Sequence, residues 1–76
     1  MPRATRFLKA YRVRHGISQK DLAEYMQIVG GAPRLGEYEN GYRVLPEGFA
    51  ARYRASVNLL TEKANRETVR SLKENR

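Results

Sequence analysis

The sequence predicts an all-α fold: one compact domain of four or five helices, formed by a chain of 76 residues. Three observations carry that prediction. Apolar side chains recur at intervals of three and four, the spacing that lines one face of a helix. Glycine, Asn-Gly and proline fall between these runs where short helices would stop and start. No stretch alternates apolar with polar residues as a half-buried strand would. So short a chain buries only about 60% of the surface its unfolded form exposes, so the core must be economical.

Helix 1 starts near Thr5, where Leu8 and Tyr11 fall at helical spacing with Phe7 and Val13 beside them, and His15-Gly16 supplies the glycine stop. His15 lies close to that C-terminus, where partial positive charge suits the helix dipole. Helix 2 is short, about Ser18 to Gln27. The Ser18 hydroxyl can cap its free amides, Asp21 sits favourably near the positive end, and Leu22, Ala23 and Met26 form its inner stripe.

A five-residue turn, Gln27 to Gly31, follows, and Ala32-Pro33 can open helix 3 because proline's missing N–H is no loss in a first turn. Leu35 and Tyr38 give that helix an inner face, and Asn40-Gly41 ends it. After the connector YRVLP, Phe49, Tyr53, Val57 and Leu60 define helix 4, from Pro46 to near Leu60. The tail, 61–76, consists of good helix formers but has only Val69 and Leu72 as large apolar side chains, so alone it is a marginal helix. Two outcomes are open for it, a fifth helix docked on a partner chain or a frayed end, and the helix is favoured.

Lys and Arg number 15 against 8 Asp and Glu, a net charge of +7, which draws a small protein towards polyanions. The charge is uneven. Residues 1–20 hold Arg3, Arg6, Lys9, Arg12, Arg14 and Lys20 and no acid, and residues 51–76 are again basic, whereas 21–50 hold more acids than bases. Cysteine is absent, which excludes a disulfide framework and a thiolate metal site and fits a reducing cytoplasm. Neither a signal-peptide run in Met1–Ala10 nor a span-length apolar segment is present, so a soluble protein is expected.

The residues LKAYRVRHGISQKDLAEYM (Leu8 to Met26) and EYENGYRVLP (Glu37 to Pro46) resemble the phage repressor and Cro family of helix-turn-helix DNA-binding proteins, with its lambda repressor-like fold. The resemblance covers 6–60, and GISQ..LA together with YENGYR is far more specific than either half. It implies a sequence-specific regulator of transcription, a repressor acting as a homodimer on a palindromic site in double-stranded DNA, with no cofactor. One short helix reads too few bases, and two copies about 34 Å apart on one face of the duplex double the discrimination. Residues 1–60 would be the DNA-binding domain. Helix 4 and the extension 61–76 are the expected dimer surface, because Val57, Leu60 and Leu72 lack evident intramolecular cover.

The resemblance also assigns roles. Gln19, at the start of helix 2, would reach a backbone phosphate, aided by the free amides of that terminus. Helix 3 would enter the major groove, and alignment back from Glu39 turns Ala32, Pro33, Arg34, Gly36 and Glu37 towards it. Arg34 can hold a guanine through two parallel hydrogen bonds, Ala32 and Pro33 can pack on a thymine methyl, and Glu37 can accept from cytosine N4. Gly36 lets the backbone approach closely. Equally, Arg34 can touch a phosphate and Glu37 can pair with it within the helix. Tyr42 and Arg43 stand where the family clamps the sugar-phosphate backbone. Arg12 and Glu39 are implied to be a structural ion pair tying helix 1 to the end of helix 3. The five-residue turn before helix 3 is longer than the three or four residues usual in such motifs, and the extra length falls within VGGAP.

Other chemistry finds little support. Gly31 and Gly36 match the spacing of a P-loop, but Glu37 and Tyr38 stand where Lys and Ser or Thr are needed. His15 is the only histidine, no acid pair marks a cleft, and so neither an enzyme nor a metal site is expected. The rival from another class is a protein-binding module on the same scaffold, such as an antitoxin or antirepressor. A basic amphipathic helix lying on a membrane ranks last.

Overall fold

The computed structural model describes residues 3–74, with side chains for residues 7–67. It is all-helical, with four helices and no strand among the described residues: α1 (Arg3–Arg14), α2 (Gln19–Tyr25), α3 (Gly31–Glu39) and α4 (Phe49–Glu74). Helices α1 and α2 pack against α4 and α3 packs on α1 and α2, and the molecule measures 50 × 23 × 17 Å because the 26-residue α4 is far longer than the other three.

Hydrogen-bonded caps set the helix ends. Ser18 Oγ accepts from the Asp21 amide at 3.0 Å and starts α2. At the end of α1, Ile17 N donates to Arg12 O and Gly16 N to Val13 O. The same paired arrangement closes α3, with Tyr42 N donating to Glu37 O and Gly41 N to Tyr38 O, and it requires the left-handed backbone that Gly41 adopts at φ 78°. At the end of α2, Gln27 takes that left-handed position at φ 54°, which a side chain rarely occupies.

Two expected boundaries shift. The turn between α2 and α3 does have five residues, but they are Met26–Gly30, and α3 opens one residue earlier than Ala32. Helix 4 does not begin at Pro46: Pro46 to Gly48 form a turn, Gly48 sits at φ 75°, and the Phe49 amide returns to Pro46 O. Nor does it stop at Leu60. No glycine, proline or cap interrupts 61–74, so the helix favoured for the tail is present over these residues, as the continuation of α4 rather than a separate fifth helix.

The core is Leu8, Leu22, Ala23, Leu35, Phe49, Tyr53 and Val57, one or more from every helix. Tyr11, Ile17, Met26, Ile28, Tyr38, Leu45, Ala50 and Leu60 pack around it half-covered. Tyr38, Phe49 and Tyr53 form a tilted aromatic row, with centroids 4.8 and 6.1 Å apart. Val57 is wholly covered within the chain, which corrects the expectation that it lacks cover. Leu60 is half-covered, Leu59 is exposed beside it, and Leu72 and Val69 lie outside the described side chains. Phe7 and Val13 face solvent.

Candidate nucleic-acid interface

Beneath α3 lies a buried polar network. Arg12 Nε donates to Glu39 Oε2 at 2.7 Å and Nη2 to Oε1 at 3.2 Å, while Nη1 donates to Ile17 O at 2.7 Å in the α1–α2 loop. Gln19 Nε2 adds a bond to Glu39 Oε1 at 2.8 Å, and the Tyr53 hydroxyl donates to Oε2. Residues from α1, α2 and α4 thus converge on the last residue of α3. Burial pushes the Glu39 carboxyl up, but the bonds from Arg12, Tyr53 and Gln19 outweigh it and hold the carboxyl below its ordinary value. Burial likewise pulls Arg12 down, yet Glu39 holds the guanidinium above its usual range. Burial and the neighbouring carboxylate raise the Tyr53 phenol.

Gln19 is therefore turned towards Glu39 and Gly36. A Cβ on Gly36 would stand 3.3 Å from Gln19 Nε2, so this glycine makes room for the glutamine between α2 and α3. Neither role was read from the sequence, although a buried carboxylate has about four lone-pair sites to satisfy and a core tyrosine needs a partner for its hydroxyl. Arg12 alone could not satisfy Glu39.

With its far end held, α3 turns the opposite side to solvent. Pro33 is exposed, and Ala32, Arg34 and Glu37 are half-exposed. The Arg34 stem folds over Gly30, where any Cβ would lie 3.0 Å from the Arg34 Cβ, so this glycine seats the arginine. Glu37 Oε2 accepts from Arg43 Nε and lies 3.7 Å from Arg34 Nε. The hydrogen bond from Arg43, with the charges of both arginines, holds the Glu37 carboxyl below its ordinary value. Val29 before the helix and Tyr42 and Val44 after it are strongly exposed, so the charged triplet is flanked on both sides by apolar surface. His15 donates from Nδ1 to Tyr11 O at 2.8 Å, away from this face.

On the other side of α2, Ile17, Asp21, Glu24, Tyr25, Leu60 and Glu67 line a groove of about 560 Å³ against α4. Among the described residues no group of three His, Cys, Asp or Glu side chains converges as a metal site would require, and no helix is long and apolar enough to cross a membrane. No family model, curated protein or solved structure matches the chain.

Proposed function

We propose that the protein is a sequence-specific regulator of transcription that binds double-stranded DNA as a homodimer in a reducing cytoplasm, with α2 and α3 as a helix-turn-helix. The observation that carries this reading is the posture of α3. Its last residue is pinned by four side-chain donors from three other helices or their ends, and its first turn offers Ala32, Pro33 and Arg34 outward. A short helix held rigidly at one end and open along the other side suits insertion into a major groove, which admits one α-helix. Arg34 and Glu37 are the hydrogen-bonding base readers, Ala32 and Pro33 the apolar ones, and Arg43 and Tyr42 the backbone contacts. The net charge of +7 supplies the sequence-independent attraction.

Gln19 keeps one role open and acquires another. Its amide nitrogen is committed to Glu39, so a phosphate at the start of α2 would meet the backbone amides there and the exposed Lys20 rather than a free glutamine. The protein would repress by occupying a two-fold symmetric site. Selection from a random duplex pool, followed by titration of the selected duplex against salt, tests the reading: a palindromic site and a steep loss of affinity with salt are expected. A pool that returns no common sequence rules it out.

The groove between α2 and α4 favours a second reading, a protein-binding module of the antitoxin or antirepressor kind. Its three acids, Asp21, Glu24 and Glu67, stand with Lys63 around the apolar side chains of Ile17, Tyr25 and Leu60, in a molecule of net charge +7. Binding that persists at high salt, to a protein and not to duplex DNA, would select it.

A further inference from the structure

We infer that Glu37 is a specificity gate on the outer face of α3: it keeps Arg34 and Arg43 occupied until a base with a major-groove amino donor, cytosine above all, takes their place on the carboxylate. The inference rests on the DNA-binding reading and deepens it.

Arg34 and Arg43 are the only cations in residues 21–50, and both turn to the same carboxylate oxygen of Glu37. Glu37 and Arg34 sit on the half-exposed side of α3 and Arg43 in the loop directly after it, with the Arg34 stem resting on Gly30 and sharing a cleft with Arg52 of α4. Neither guanidinium stands alone there. A phosphate that approaches Arg43 must compete with a carboxylate already hydrogen-bonded to it, and must do so beside that carboxylate's negative charge. Random DNA therefore gains little from these two arginines.

At a matched base pair the balance changes. Cytosine presents its N4 amino group as a donor in the major groove, whereas guanine N7 and O6 and thymine O4 are acceptors that repel a carboxylate. Once N4 donates to Glu37, Arg43 is released to a phosphate and Arg34 to a neighbouring guanine. One exchange of partners thus couples base identity to two further contacts. Arg43 and Arg34 keep the Glu37 carboxyl ionised through the neutral range, so the gate responds to the base and not to pH.

Fluorescence anisotropy of the full chain on a random-sequence duplex and on the selected duplex, across salt concentrations, tests the gate with the variants Glu37→Gln and Glu37→Gln/Arg43→Gln. Glu37→Gln should bind random DNA about tenfold more tightly at low salt, with a salt slope steeper by about 0.9 for each arginine released. The ratio of selected to random affinity should fall by about tenfold. The double variant should keep only the share of the gain that Arg34 supplies, with a salt slope about 0.9 less steep than that of Glu37→Gln. Because Glu37 is half-exposed, helical circular dichroism should be unchanged, and that spectrum serves as the folding control. A folded Glu37→Gln that binds random DNA no better than wild type, or a double variant that keeps the whole gain, overturns the gate while a selected site leaves the DNA-binding reading standing. Failure of wild type and both variants to bind any duplex at low salt removes that reading and the gate with it.

Discussion

Arg12 and Glu39 are 27 positions apart in the sequence, yet two side-chain hydrogen bonds, of 2.7 and 3.2 Å, join them in the interior. The Glu39 side chain is wholly covered and that of Arg12 is 8% exposed. Such a pair adds little net stability beyond what an apolar pair would supply, because two charges lose their water, but it costs heavily to break from one side. Glu39→Gln should lower the unfolding free energy by about 3 kcal/mol, read from urea midpoints at constant m. Arg12→Met/Glu39→Met should cost clearly less than the two single changes combined. Additive costs would mean the two side chains are not coupled.

Stability should fall at both ends of the pH scale. The Glu39 carboxyl is held below its ordinary 4.5 in the folded chain, so between those two values the unfolded chain binds the proton and the native one does not. Its contribution is complete above pH 4.5 and is lost as pH drops through the depressed folded value. The Tyr53 phenol is raised above its ordinary 10.0, so its contribution is complete below pH 10 and declines as pH rises beyond that. Urea midpoints from pH 3 to 11 should trace this plateau, and Glu39→Gln should flatten its acid edge. An acid edge of the same steepness in that variant would assign it to other carboxylates.

The helices were legible where local chemistry decides them. Ser18, Gly16 and Asn40-Gly41 mark real caps, and the spacing of Leu8, Leu22, Leu35, Phe49, Tyr53 and Val57 gives the core. Where tertiary contacts decide, the sequence was silent. Gly36 looks like a device for close approach to DNA, but the neighbour that needs its space is Gln19, 17 positions earlier. Val57 falls on the same helical stripe as Leu60, and periodicity cannot say that one is wholly covered and the other half-covered. The full extent of α4 is not legible because the tail is poor in apolar residues, whereas continuing an existing helix needs no new nucleus.

Arg34 and Arg43 share Glu37 but should differ in what they contribute to DNA binding. Arg34 projects from the first turn of α3 and is seated over Gly30, whereas Arg43 follows the end of the helix. Arg34→Ala should weaken binding at one base pair in each half-site by about 1–3 kcal/mol and leave random DNA little affected. Arg43→Ala should weaken alike all duplexes on which Glu37 meets its cytosine, lower the salt slope there by about 1, and leave random DNA, on which Glu37 holds Arg43, little affected. Titrations of a panel of single-base operator variants check both. Equal losses on selected and random DNA for Arg34→Ala would make it a phosphate contact.

The dimer surface is sought on the second half of α4. Every buried apolar core residue of this helix, Phe49, Tyr53 and Val57, precedes Leu60. A helix of 26 residues is about 39 Å long, and in its second half Leu60, Lys63, Ala64 and Glu67 line the groove against α2. A chain ending at Leu60 should retain cooperative urea unfolding and the helical signature of the remaining residues, because it keeps the core and the Arg12–Glu39 network intact. In sedimentation it should run as a monomer where the full chain runs as a dimer, and its affinity for a full palindrome should fall towards that for a half-site. A truncated chain that still sediments as a dimer would place the interface on the body, where the exposed Phe7, Val13 and Leu59 offer the remaining apolar surface.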